Sequence, residues 1–188
     1  TIDTARCFFE TEKRKYIIID APGHIEFLKN MITGASRAQA ALLVIDAAEG
    51  ICENSRRHGY MLEMLGITQI AVLVNKIDLI GYDRARYDWI CRDFTEFLAK
   101  IGIRPAAFIP VSAMDGDNIA SRSVHTPWYG GPTVLEMLDR FAGGTHNDAL
   151  PLRIPVQDVY KFTEGGDDRR IVAGMCESGT LRPGDHLI

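Results

Sequence analysis

A chain of 188 residues can bury one substantial core, or one domain and part of another. A formal charge of -4 leaves no broad basic surface, which argues against electrostatically driven nucleic-acid binding. Cys7, Cys52, Cys91 and Cys176 lie far apart with no C-x-x-C pair, so neither a zinc site nor a disulfide framework is signalled and reduced thiols in a cytoplasmic protein are expected.

Ile2 to Glu10 and Tyr16 to Asp20 read as strands joined by a charged, solvated turn that contains Lys13-Arg14-Lys15. Ile17-Ile18-Ile19 suits a buried strand, because β-branched side chains fit a pleat covered on both faces. From Ile25 onward Leu28, Met31, Ile32 and Ala35 fall at helical spacing. Ala40 to Ile45 is the next strand and ends at a carboxylate, Asp46; no apolar run is long enough to span a bilayer. Glu53 to Leu65 is helical, with Gly66 as its stop, and His58 reads as a packed or half-exposed helix residue. Ile70 to Val74 is a buried strand that delivers Asn75-Lys76-Ile77-Asp78 at its carboxyl end. A helix with Ile90, Phe94, Leu98 and Ile101 on one face follows, then a strand from Ala106 to Val111 that presents Ser112-Ala113. Thr133-x-x-Glu136 has capping-box spacing and opens a last helix. This alternation predicts an α/β domain over residues 1–142, built on a doubly wound, mostly parallel sheet. Residues 143–150 read as a linker, and 151–188 alternate like the start of a small β-barrel domain. Both ends of the sequence fall in strand-like segments, as expected of an internal piece of a longer protein.

The chemistry gathers at strand ends, where open α/β sheets bind ligands. Asp20-Ala21-Pro22-Gly23-His24 places a carboxylate, a turn and a histidine after the first apolar strand, a string that a plain polar turn would also give. Asn75-x-x-Asp78 has a more specific use. Guanine offers two adjacent donors, the ring N1–H and the exocyclic amine, and one carboxylate can accept both; adenine lacks that pair. Asp78 would select guanine, Asn75 would bridge base and loops through its amide, and Lys76 would lie over the purine face. A backbone N–H of Ser112-Ala113 would reach the guanine carbonyl oxygen. With GTP as ligand, Asp20 would hold Mg²⁺, Pro22 would shape the turn, the N–H of Gly23 would face the γ-phosphate, and His24 would position the attacking water.

Asp20-Ala-Pro-Gly-His24, Asn75-Lys-Ile-Asp78 and Ser112-Ala113, in this order, resemble the translation-factor class of GTPases. Thr11 to Lys15, Asn30 to Ser36, Arg56-Arg57-His58, Gly116 to Ser121, Pro127-Trp128-Tyr129 and Asp168 to Gly174 are similar to one branch, the GTPase subunit of bacterial sulfate adenylyltransferase (ATP sulfurylase). That resemblance implies a P-loop NTPase-type GTP-binding domain over 1–142. It also implies GTP hydrolysis coupled to adenylylsulfate formation, with a catalytic ATP sulfurylase subunit as partner and an adenylylsulfate kinase fused or associated; the charge and the short apolar runs lead to no expected nucleic-acid or membrane partner. By the same pattern Thr1 would coordinate Mg²⁺. The alternative is an elongation factor of the Tu/1-alpha type that delivers aminoacyl-tRNA. The family's phosphate loop, G-x-x-x-x-G-K-[ST], has no counterpart here, so the piece alone is expected to bind GTP poorly and to expose unpaired strand edges.

Overall fold

The computed structural model describes residues 4–23, 26, 28–36, 38–143, 149–161 and 169–186, the side chains of 28–30 excepted. Thr1, His24 and residues 144–148 of the expected linker lie outside that set. The chain divides into two compact units, Thr1–Ala142 and Gly143–Ile188.

In the first unit, Ala5–Glu10 (β1) and Lys15–Asp20 (β2) pair antiparallel, with Ala5 opposite Asp20. Leu28–Ala35 (α1), Ala41–Asp46 (β3), Glu53–Met64 (α2), Ile70–Asn75 (β4), Arg84–Lys100 (α3), Phe108–Pro110 (β5) and Val134–Arg140 (α4) follow. β3, β4 and β5 form a parallel sheet with β4 at its centre, and the register sets Asp46 opposite Asn75.

Side chains alternate across a strand, and β4 uses both faces. Ile70, Val72 and Val74 pack with Leu62 of α2 and with Ile90, Phe94 and Leu98 of α3. Ala71 and Leu73 turn the other way, toward Ile109, Val134 and Met137. Helices therefore cover both faces, and a continuous apolar run is what such a strand requires. α3 opens at Asp83, whose carboxylate accepts from the Ala85 N–H at 2.8 Å. α4 opens at the predicted capping box: Glu136 N donates to Thr133 Oγ1 at 3.2 Å, and Thr133 N donates to Glu136 Oε2 at 3.0 Å.

Three expectations are corrected here. The sheet system is mixed, because among the described residues β2 pairs with β1, antiparallel, while β3, β4 and β5 are parallel. The triple isoleucine is not buried on both faces: Ile17 is 61 % and Ile18 41 % exposed. α1 has eight residues; its Gly34 lies against Ile19 and leaves the other two isoleucines uncovered among the described residues. The second unit forms no closed barrel among its described residues. Val156–Lys161 (β6) and Arg170–Gly174 (β7) make an antiparallel hairpin. Closing a barrel takes a succession of tilted, staggered strands, and two cannot meet around an axis. Val156 and Val172 stay about three-fifths exposed, at 62 % and 59 %.

The Lys13 to Lys15 turn is also less solvated than expected. Arg14 donates to the carbonyls of Phe141 at 2.7 Å and Asp139 at 3.2 Å, and Lys13 pairs with the Asp139 carboxylate at 3.3 Å. The last carbonyls of a helix lack intrahelical partners, and a cation there satisfies them and meets the negative end of the helix dipole.

Candidate functional site

The carboxyl ends of β3, β4 and β5 bring together most of the described candidate residues. β4 ends in Asn75, and Lys76 then takes a left-handed backbone with φ of 59°. A non-glycine residue pays for that conformation unless its surroundings hold it. Two contacts hold it here: Asn75 Oδ1 accepts the Lys76 N–H at 2.8 Å, and Lys76 Nζ pairs with Asp46 at 2.6 Å. A 3-10 turn over Ile77–Ile80 follows, with Ile77 fully buried as its anchor and Asp78 half-buried in its first turn. No described residue donates a hydrogen bond to the Asp78 carboxylate, so its lone pairs are available to an incoming donor.

Asp46 supplies the electrostatics of this corner. Burial would raise its carboxyl, but the Lys76 ammonium and the N–H groups of Glu49 and Ala48 outweigh that and hold it below the ordinary carboxylate range. In return the Asp46 carboxylate raises Lys76. The Lys76 cation is thus committed to Asp46, and its methylene stem is the part left for an aromatic ring. Sequence reasoning noted Asp46 as a strand-end carboxylate but not as this counter-ion, because the pairing follows from the register of β3 on β4.

Ser112-Ala113 lies just past β5, and Asn75 joins it to the Asp78 turn. Of the Ser112-Ala113 backbone, from which an N–H was expected to reach a guanine carbonyl, the Ala113 N–H donates to Asn75 Oδ1 at 3.1 Å. Ser112 is fully buried, and its Oγ is 3.1 Å from Asp115 Oδ2. Behind it sits a polar network that the sequence reading did not single out. Asp117, 8 % exposed, accepts from Tyr82 Oη at 2.9 Å and lies 3.3 Å from His125 Nδ1. Burial would raise Asp117, yet bonds from Ser123, Tyr82 and His125 hold it low. Burial first, and then Asp117, push the Tyr82 phenol up to about 12. Asn118 has φ of 56° and donates from Nδ2 to Pro110 O at 2.8 Å and Thr126 Oγ1 at 2.9 Å. Gly116-Asp117-Asn118 was the available signal, since asparagine is among the few residues that tolerate the left-handed region.

At the end of β2, Asp20 is exposed, Pro22 is buried and Gly23 is exposed. A Cβ on Gly23 would stand 3.5 Å from His58 Cε1, so the α2 histidine packs beside this turn. Burial lowers the His58 pKa, and a hydrogen-bonding interaction with the Gly23 backbone partly opposes it. His58 is half-buried against a candidate residue, which helical periodicity alone could not show. Among the described residues no three His, Cys, Asp or Glu side chains are grouped to cage a metal. No helix there is long and apolar enough to cross a membrane.

The family model described as "Elongation factor Tu GTP binding domain" matches residues 1–143. Elongation factor 1-alpha of Methanopyrus kandleri is 44 % identical over 187 residues, covering 98 % of this chain and 44 % of that protein. The bifunctional enzyme CysN/CysC of Mycobacterium tuberculosis is 43 % identical over 190 residues, covering 100 % of this chain and 31 % of its own length. The solved structure of Sup35 complexed with GDP superposes with a TM-score of 0.60 at 30 % identity, covering 92 % of this chain and 42 % of that one. The chain spans less than half the length of these relatives.

These similarities correct the sulfate-specific reading. Elongation factor 1-alpha aligns at least as closely as CysN/CysC, so whole-chain similarity does not single out a sulfate adenylyltransferase subunit. Nucleotidyltransferase (ATP sulfurylase) activity falls with it, as do a catalytic ATP sulfurylase partner and an adenylylsulfate kinase. Of the residues that pointed there, Thr11 to Lys15 form a turn bonded to the end of α4, and Arg169 to Gly174 run into β7. The exclusion of nucleic-acid partners is set aside too. It rested on net charge, which averages over a surface, while binding depends on local distribution.

Proposed function

The chain belongs to the elongation factor Tu GTP-binding domain family, and from that premise we propose that it is the nucleotide-binding part of a GTP-hydrolysing translation elongation factor of the 1-alpha/Tu type, acting in the cytoplasm. The observation that carries this reading is the link from Asn75 Oδ1 to the N–H groups of Lys76 and Ala113, which ties the Asp78 turn to the Ser112-Ala113 turn. Asp78 pairs with the two donors of guanine, the Lys76 stem lies against the purine, and the Ser112-Ala113 backbone contributes at the guanine carbonyl. A ligand without both donors leaves a desolvated carboxylate unpaired, which is how a polar site rejects adenine.

On the phosphate side, Asp20 offers an exposed hard oxygen at a strand end. This suits Mg²⁺, which takes one or two protein oxygens together with nucleotide phosphates rather than a protein cage. Asp20 would hold such an ion, with Thr1 as a second oxygen ligand, and the bound ion would supply charge neutralisation at the phosphates. The Gly23 N–H meets the γ-phosphate, Pro22 sets the turn, and His24 orients the water, since phosphoryl transfer depends on alignment and charge stabilisation more than on a strong base.

The partners of this reading are aminoacyl-tRNA and the ribosome. In the full-length protein, the GTP-bound form is expected to shield the labile ester of aminoacyl-tRNA from spontaneous hydrolysis, and the GDP-bound form is not. Equal ester decay with and without the GTP-loaded protein would remove the translation role.

A further inference from the structure

Asp78 and Ser112-Ala113 stand on turns that follow different strands, and a base can be gripped from both only if the turns are fixed to within a fraction of an ångström. Asn75 supplies one tie between them. A second runs through side chains that no nucleotide contact requires. Tyr82 is anchored to the Asp78 turn, its N–H donating to Ile77 O at 2.9 Å. Its hydroxyl reaches Asp117 at 2.9 Å. Asp117 in turn holds the Ser112 end, its N–H donating to Ser112 O at 3.1 Å. His125 braces the same carboxylate, with Nδ1 3.3 and 3.4 Å from its two oxygens, and its ring lies 4.8 Å from the Tyr82 ring. Tyr82 has φ of 58°, a conformation that non-glycine residues keep only where neighbours impose it.

We propose that Tyr82 and Asp117 are positioning residues for guanine-nucleotide affinity, joined by one hydrogen bond that sets the spacing between the Asp78 turn and the Ser112-Ala113 turn. The proposal rests on the guanine-site reading above. Neither residue touches the base. Both act through the Ser112-Ala113 backbone, so their loss weakens every 6-oxopurine alike and leaves the choice made by Asp78 intact.

The test is a double-mutant cycle in the full-length protein, with equilibrium binding of GDP and IDP to wild type, Tyr82→Phe, Asp117→Asn and the double variant. IDP keeps the 6-oxo group and ring N1–H of guanine but lacks the amine that Asp78 also accepts. Each single variant is expected to bind GDP roughly tenfold more weakly, the size of one lost hydrogen bond. The GDP-to-IDP ratio should stay unchanged, and the double variant should be no worse than the weaker single. Tyr82→Phe removes only a hydroxyl, and an unchanged thermal midpoint for it separates repositioning from unfolding. GDP binding as in wild type by Tyr82→Phe, or fully additive losses in the double variant, would overturn the proposal. Asp78→Asn is measured in parallel. If it does not move preference toward xanthine nucleotides, the guanine-site reading fails; if it does while the Tyr82 and Asp117 variants bind normally, only the positioning role fails.

Discussion

Asp46 and Lys76 form an ion pair with one end screened by water: the Lys76 side chain is 53 % exposed and that of Asp46 17 %. The Asp46 carboxyl titrates lower in the folded than in the unfolded chain. Its contribution to stability is therefore complete above the unfolded value of about 4 and is lost as pH falls through the folded value. Urea unfolding followed from pH 6 down to pH 2.5 should show a smaller acid loss in Asp46→Asn than in wild type. Superimposable acid limbs would mean that the pair adds nothing to folding. At His24, the proposed water-orienting role predicts that His24→Ala slows GTP hydrolysis by about 100-fold or more while nucleotide affinity stays near wild type. Parallel losses of both would assign His24 to structure. Asp78, Asn75 and Lys76 were legible as site candidates because guanine's donor pair demands that chemistry. Tyr82, Asp117 and His58 were not, since their placement depends on which turn packs on which helix.

Whether an element could be read from the sequence followed its burial. β4 is buried from Ile70 to Val74 and α3 buries Ile90, Phe94 and Leu98 completely, so the apolar pattern alone marked both. Phe94→Ala would leave a cavity between α3 and the sheet and is expected to cost about 3–5 kcal/mol in equilibrium unfolding. A cost under 1 kcal/mol would place Phe94 outside the core. The α4 start was legible through Thr133 and Glu136, and Thr133→Ala is expected to cost about 1 kcal/mol by the same measurement, with no cost if the cap is idle. The Ile77–Ile80 turn escaped notice, because four residues opened and closed by left-handed Lys76 and Gly81 carry no periodicity. The isoleucine run misled for a different reason. β-branched residues report strand conformation faithfully, but whether a strand is covered depends on elements elsewhere in the chain, and α1 covers only part of β2.

At the scale of the molecule, α/β alternation was visible through residue 142, and helices do cover both faces of the β3, β4 and β5 sheet. The barrel expected after residue 150 was an extrapolation from alternating residues, and strand alternation is equally compatible with the exposed β6 and β7 hairpin. The family was legible because Asp20 to His24, Asn75 to Asp78 and Ser112-Ala113 occur in that order along the sequence. The branch was not, since Thr11 to Lys15 is a turn bonded to the end of α4 and whole-chain similarity is shared by elongation factor 1-alpha and CysN/CysC. The proposed guanine site draws on the ends of parallel strands, and nucleotide preference of the Asp78→Asn variant in the full-length protein tests it most directly. An amide can donate one hydrogen bond where the carboxylate accepted, so the variant should lose GDP affinity by roughly 100-fold or more, at about 1.5–3 kcal/mol for each charged bond lost, and should prefer XDP. Retained preference for GDP over XDP would contradict the assignment of Asp78, and with it the site.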